Sequence, residues 1–337
     1  GFALAKDGIV WSVKRTLFRG KEVYVRKYPP VNPEVLPPFT SLHQNVIEQH
    51  FLEACRKAGV EFVWSTTITD VKTDEDGVTL TSESGQVWRA EYVIGADGAR
   101  SVVRTSTGLD FEGPRARETF VVVDVEEDPD DPLPLERVFH YHHPNMGGRN
   151  VLMVPFKGGW RVDLQVLASD DPEEFSGIEK VRQWLPKVMP AKYAGRITWV
   201  STYRFHQVVA RSYTDEHCRV LLGGEAAHLF APFGARGLNS GIPDVVLAAR
   251  AIHKALSCSR REEAKEAIRA AAEERRAAGL HNRNAAGIAL EHIQGDSPYM
   301  ALKRELAASL APIVPQLGRW LDEGPYGPRF GPMATRY

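Results

Sequence analysis

Residues 218–241 read Cys-Arg-Val-Leu-Leu-Gly-Gly-Glu-Ala-Ala-His-Leu-Phe-Ala-Pro-Phe-Gly-Ala-Arg-Gly-Leu-Asn-Ser-Gly, and no other stretch narrows the choice of fold so far. Arg219 to Leu222 lacks polar–apolar alternation, which suits a short strand covered on both faces. A turn of small residues follows, then Pro232, then glycines at 234, 237 and 241. Beyond them the spacing predicts an apolar helix from about Asp244 to Leu256, with Val245, Ala248, Ala249 and Ile252 on one face. Strand, glycine loop and helix start together let main-chain N–H groups approach a bulky, electron-rich ligand. Glycine has no Cβ to block that approach, and a helix N-terminus carries partial positive charge.

A second anchor is Tyr92-Val93-Ile94-Gly95-Ala96-Asp97-Gly98-Ala99-Arg100-Ser101-Val102-Val103-Arg104. A buried strand ends in Gly-Ala-Asp-Gly, and Ser101 is placed to cap a short helix.

These two stretches resemble the second and middle FAD motifs of the flavin-dependent aromatic hydroxylases, the class A FAD-dependent monooxygenases with the 4-hydroxybenzoate hydroxylase fold. The wording Pro-Phe-Gly-Ala-Arg-Gly is most similar to the branch around 3-(3-hydroxyphenyl)propionate hydroxylase. The resemblance implies an α/β chain. A Rossmann-like, three-layer FAD-binding domain would cover 40–112 and 211–298. An inserted, mostly antiparallel substrate-binding sheet would cover 8–39 and 113–210, and a C-terminal helix and tail 299–337. It implies cofactor contacts from Gln44, Asp97, Gly98, Arg104, Gly224, Glu225, Pro232, Gly234, Gly237, Leu238 and Asn239. Arg100 rivals Arg104 as the source of charge, and Gln44 reads equally well as a solvent-facing amide. Glu225 stands where the family usually has aspartate, and Arg236 where glutamine is common.

The implied reaction is hydroxylation of a small phenol-like aromatic by O₂, with NAD(P)H reducing FAD and a flavin hydroperoxide delivering the oxygen. The catalytic candidates are Pro232, beside the flavin, and Tyr203 and His206, which precede the second motif. Core aromatics with a surface histidine are the plainer reading of that pair, and His228 reads as structural. A same-fold flavin reductase or epoxidase, and a non-catalytic relative, stay open as alternatives. The family's pyrophosphate fingerprint, GxGxxG, is absent from these 337 residues. About sixty residues are therefore expected to precede Gly1, from the size of a βαβ start plus one helix. On that expectation the chain by itself binds FAD weakly or not at all, and can be inactive alone.

Composition excludes other classes. With 43% hydrophobic and 25% charged residues and a net charge of −1, nothing points to nucleic acid or an anionic membrane. No apolar run is long enough to span a bilayer. Cys55, Cys218 and Cys258 form no CxxC, which favours a reducing, cytoplasmic setting; a homodimer is the assembly kept open.

Elsewhere, strands are expected at Val10 to Val13 and Val23 to Tyr28, turning at Arg19-Gly20-Lys21. Others are expected at Val60 to Trp64, Thr67 to Thr73, Gly77 to Ser82, Gln86 to Ala90, Thr119 to Val125, Arg137 to His142, Asn150 to Pro155, Gly159 to Val166 and Ile197 to Val209. Helices are expected from Ser41 to Gly59, around Val181 to Val188, from Ser259 to a stop at Gly279, over Ala285 to Ile293 and over Met300 to Leu310. The tail from Gly324 to Arg329 reads as loop. Alternation puts His140 and His142 on one face. With no carboxylate or cysteine at ligand spacing, that pair reads as a solvated edge before it reads as a metal site.

Overall fold

Alternating side chains, clearest in Val13–Phe18 and Glu136–Tyr141, build a seven-stranded sheet. In the computed structural model residues 1–295 and 297–328 are described, 115–118 by backbone alone. Across the sheet the strands are Ile197–His206, Arg115–Glu126, Gly159–Val166, Val151–Phe156, Glu136–Tyr141, Val13–Phe18 and Lys21–Lys27. Pairing is antiparallel from Arg115–Glu126 to Glu136–Tyr141 and again at the Val13–Phe18 hairpin. Val13–Phe18 runs parallel to Glu136–Tyr141.

Over Arg115–Glu126, Val151–Phe156 and Gly159–Val166 one face of this sheet is core. Val121, Val123, Val151, Trp160, Val162 and Leu164 pack on Val181, Trp184, Leu185 and Tyr193. The opposite face changes along its width. Lys14, Thr16, Phe18, Arg137, Phe139 and Tyr141 are buried. Three of them bond the helix Pro315–Glu323: Lys14 Nζ meets Asp322 Oδ2 at 2.7 Å, Thr16 Oγ1 donates to Asp322 Oδ1 at 2.8 Å, and Tyr141 OH donates to the Leu321 carbonyl at 2.8 Å. Toward Gly159–Val166 the cover thins, and Val122, Leu152, Val154 and Asp163 are only half-buried. This sheet belongs to one of two units, made of Gly1–Phe62, Arg117–Arg204 and Gly295–Gly324. Contacts thus group the helices Gln44–Lys57 and Pro298–Leu310 with the sheet, where the sequence division assigned them elsewhere.

The second unit comprises Val63–Ala116, Phe205–Gln294 and the chain from Pro325. Its centre is a parallel pair, Val93–Gly95 beside Val220–Leu222. Val220, Leu221 and Leu222 are all buried, as a run without alternation requires. Two helices close over it, Arg236–Leu256 and Arg261–Gln294. They meet through small residues, Ala248, Ala251 and Ala255 of one and Ala264, Ala271 and Ala272 of the other, with Ile268 filling the seam. The hairpin Ile68–Asp74 and Gly77–Ser82, with Val87–Ala90 as its third strand, forms as expected.

Several expectations are corrected. The first strand occupies Val13–Phe18, not Val10 to Val13. Val60 to Trp64 forms no strand; Val60, Val63 and Trp64 are 50%, 53% and 64% exposed, and no described strand lies alongside to pair with them. The second-motif helix starts at Arg236, not near Asp244, because Ala235 takes a left-handed φ of 54° and turns the chain in early. Its buried face is Asp244, Ala248, Ala251 and Ala255, while Ala249 is exposed. Gly279 does not stop a helix; Arg261–Gln294 passes straight through it. A Cβ there would lie 2.3 Å from Tyr213 OH, so the glycine serves close approach, not termination. Pro315–Glu323 is a helix that sequence reading missed, and Gly324–Tyr326 is a single 3₁₀ turn; Arg329 lies outside the described residues.

The histidines are no solvated edge. His143 is 4% exposed. His142 leaves the strand with φ 51°, and its ring engages the Gly148 carbonyl and Arg304 Nη2, each at 3.1 Å. Burial, with His143 beside it, pushes His140 down to about 4, so it stays neutral. Among the described residues no three His, Cys, Asp or Glu side chains gather to hold a metal, and no helix is long and apolar enough to cross a membrane.

Candidate functional site

The parallel pair decides where the two motifs emerge. Val93 faces Val220 and Gly95 faces Leu222, and Gly223 N donates to the Gly95 carbonyl at 2.9 Å. Parallel strands end on the same edge, so the turn bearing Asp97 and Gly98 leaves the sheet beside the turn bearing Gly224 and Glu225. The crevice outside strand carboxyl ends is where open α/β sheets bind ligands.

Each turn is braced from inside. The Asp97 carboxylate accepts from the Ser101 hydroxyl and, at 3.0 Å, from Val103 N. Ser101 caps Val102–Ser106 as expected, accepting from Arg104 N at 2.9 Å. Arg104, 6% exposed, stitches the two turns together. It donates to the Ala226 carbonyl at 3.1 Å and the Ala99 carbonyl at 3.0 Å, with its guanidinium 3.7 Å over the Phe111 ring. Burial lowers its pKa, against the pull of Asp97 and Asp110. Arg100, its rival, is exposed.

The second turn hangs on Asp244, which sequence reading did not single out. Asp244 Oδ2 accepts from Gly224 N at 3.1 Å and meets His228 Nε2 at 2.7 Å; Oδ1 accepts from Arg275 Nε at 2.8 Å. His228 stacks flat on Phe230 with centroids 4.4 Å apart. The available signal was a lone aspartate on the predicted apolar face of a helix, directly after Pro243.

The outward surface is main chain. Glu225, Pro232, Gly234, Gly237, Leu238 and Asn239 are all exposed. The 21-residue helix Arg236–Leu256 has no side-chain cap at Ala235, so its first N–H groups lack intrahelical partners. A Cβ at Gly237 or Gly224 would meet nothing within 4 Å. Asn239 turns its amide back to the Ala235 carbonyl at 2.7 Å. Arg236, buried with its pKa lowered by that burial, ties the turn down: it donates to Asn282 Oδ1 at 2.8 Å and to the carbonyls of Tyr326 at 3.0 Å and Pro328 at 2.5 Å. Phe205 and Phe233 meet edge to face at 5.5 Å. His206 is half-buried, and its enclosed Nδ1 accepts no hydrogen bond among the described residues. Gln44 and Tyr203 belong to the other unit, both exposed.

These features fit an isoalloxazine-bearing dinucleotide: open space over glycine, unblocked N–H donors at a helix start, and a carboxylate at Glu225 facing outward. A profile of the family described as FAD binding domain matches residues 22–282, and the chain belongs to that family. The chain is 30% identical over 226 residues to dialkyldecalin synthase of Streptomyces rugosporus, covering 64% of this chain and 47% of that protein. It is 28% identical over 309 residues to 3-(3-hydroxy-phenyl)propionate/3-hydroxycinnamic acid hydroxylase of Mycobacterium avium (strain 104), covering 82% and 48%. The chain thus spans about half the length of these relatives. The crystal structure of p-nitrophenol 4-monooxygenase from Pseudomonas putida DLL-E4 superposes with a TM-score of 0.73 at 22% identity, covering 97% of this chain and 84% of that one, which is a likeness of fold. The family resemblance drawn from the two motifs, and FAD as its cofactor, are borne out.

Proposed function

We propose that this chain supplies FAD and substrate contacts to an FAD- and NAD(P)H-dependent monooxygenase that hydroxylates a phenol-like aromatic with O₂. The observation carrying this reading is the in-register parallel pair, which sets Asp97-Gly98 beside Gly224-Glu225 next to an uncapped helix start. Residues of 40–112 and 211–298 would serve the cofactor, and the sheet within 113–210 the substrate. Bound FAD would relay electrons from NAD(P)H to O₂ and transfer oxygen to the ring. The N–H groups of Gly237 and Leu238 would stabilise negative charge on the flavin without reorganising. Glu225 would accept hydrogen bonds from the ribityl hydroxyls. Pro232, lacking an N–H, would lie against the ring without offering a competing donor, and water would have to be kept from the reacting centre.

The test is turnover by the full-length protein. Phenol-stimulated NADH or NADPH oxidation with stoichiometric hydroxylated product is expected; failure to bind FAD, or oxidation with no hydroxylated product from any phenol, would discard the reading. The dialkyldecalin synthase among the relatives favours a second reading, a same-fold flavoprotein that inserts no oxygen. FAD binding without oxygen uptake would select it.

A further inference from the structure

The helix Pro298–Leu310 has a second apolar face. Ser297 caps its start, accepting from Met300 N at 3.1 Å, and its inner face buries Arg304 and Ala307, with Ala311 just beyond. On an ordinary surface helix the outer face would be polar. Here it carries Tyr299, Leu302, Leu306 and Leu310, at i, i+3, i+7 and i+11, and Ile313 follows at i+14 in the turn that ends the helix. All five are exposed, Tyr299 by 71% and Ile313 by 79%. At 3.6 residues per turn they fall on one narrow stripe, the seam along which helices pair. Together they leave on the order of 600 Å² open, as much as the largest apolar patch of a typical monomer.

The spacing of the stripe says what covers it. Its steps of 3, 4, 4 and 3 residues read the same from either end, with Leu306 at the centre. An antiparallel copy of the helix therefore sets Leu306 on the partner's Leu306, Leu302 on the partner's Leu310 and Tyr299 on the partner's Ile313. Such self-matching is what a two-fold axis requires of one surface patch. The charges beside the stripe are engaged within the chain: Glu305 pairs with Arg19, and Lys303 Nζ lies 4.7 Å from the Trp320 ring centroid. A membrane surface fits less well. A helix lying in a membrane interface carries lysine and arginine along its polar face, and Lys303 is the one exposed cation of this helix, since Arg304 is buried. Two copies closing the stripe would bury about 1,200 Å², where specific interfaces begin.

We propose that this stripe is a homodimer interface, two copies of Pro298–Leu310 packing antiparallel about a two-fold axis through Leu306. The interface stands apart from the flavin site, so it holds whichever reaction the protein performs.

The test is sedimentation velocity on the full-length protein. Wild type should be dimeric at micromolar concentration, as an interface at the small end of the specific range allows. Leu306→Glu sets two carboxylates face to face at the axis and should weaken self-association by at least about a hundredfold. Leu306→Lys should do the same, and an equimolar mixture of the two variants should recover the dimer, because the axis then joins opposite charges. Should the charged variants fail to fold, Leu306→Cys keeps a small apolar side chain there. Under mild oxidation it should form a disulfide-linked dimer that wild type does not, whereas Tyr299→Cys, far from the axis, should not link to itself. A monomeric wild type at tens of micromolar, a dimer undiminished in folded Leu306→Glu, folded charge variants that do not recover the dimer when mixed, or no Leu306→Cys crosslink overturns the assignment.

Discussion

Asp244 answers three donors with two oxygens: Gly224 N, His228 Nε2 and Arg275 Nε. Its side chain is 1% exposed, so water cannot replace it. Asp244→Ala should cost roughly 3–5 kcal/mol, as when one partner of a buried pair is removed, read as a lower urea midpoint; FAD affinity should fall with it as the Gly224 turn loosens. Gly237→Val should act the other way round. Its Cβ enters open space, so the unfolding midpoint should hold while FAD titration shows at least about tenfold weaker binding, the effect of a side chain placed against the ligand face. Asp163 sets a pH dependence. With its pKa raised to about 7, the native state binds more protons than the unfolded state from about pH 3.9 up to that value. Its contribution to stability is therefore lost as pH rises through that window. Asp163→Asn should flatten the profile and gain up to about 4 kcal/mol at pH 8 in chemical unfolding. At this scale the sequence was legible for exposed glycines and for the Ser101 cap, whose signals are local. It was silent on Asp244 and on the inward turn of Arg104, because their partners come from distant segments.

Gly279 shows why element ends were harder to read than element types. Helical periodicity on both sides of it was read correctly, and the glycine was taken for a stop. Inside a helix, glycine costs about 1 kcal/mol against alanine, so Gly279→Ala would be expected to stabilise. Here the added Cβ lies 2.3 Å from Tyr213 OH, and the variant should instead lose roughly 1–3 kcal/mol by overpacking, read as a lower melting temperature. The helix Pro315–Glu323 went unread altogether: it has only 9 residues, and its Gly318 lies against the Val23 carbonyl, 2.2 Å from where a Cβ would be. Val60 to Trp64 failed for a different cause. Its composition is that of a strand, but a strand exists only with a neighbour to bond. The sheet within 113–210 was legible because two-residue alternation and glycine turns are local signals, and they fixed nearly all of its strands.

On the scale of the molecule, residues far apart in sequence hold each unit together. In the first unit the strand Val13–Phe18 is pinned to the helix Pro315–Glu323 by Lys14 and Asp322, both side chains 1% exposed. Asp322→Leu alone should cost roughly 3–5 kcal/mol by taking the carboxylate from a buried ammonium, and adding Lys14→Met should restore part of it, since a buried pair replaced whole by apolar side chains is close to neutral while the Thr16 hydroxyl still loses its acceptor. Thermal unfolding of the two single variants and the double tests this. In the second unit the two turns of the crevice are held together by the rungs Val93 to Val220, Ile94 to Leu221 and Leu222 to Gly95 and by Arg104. Five of the seven strands of the large sheet, from Arg115–Glu126 to Ile197–His206, intervene between those rungs along the chain. Closing so long a loop is slow and entropically costly, so the crevice is a late event in the chain's search. A cofactor that recognises only the finished crevice cannot guide the early collapse. Its arrival should retard escape from the native state and leave the rate of first folding unchanged.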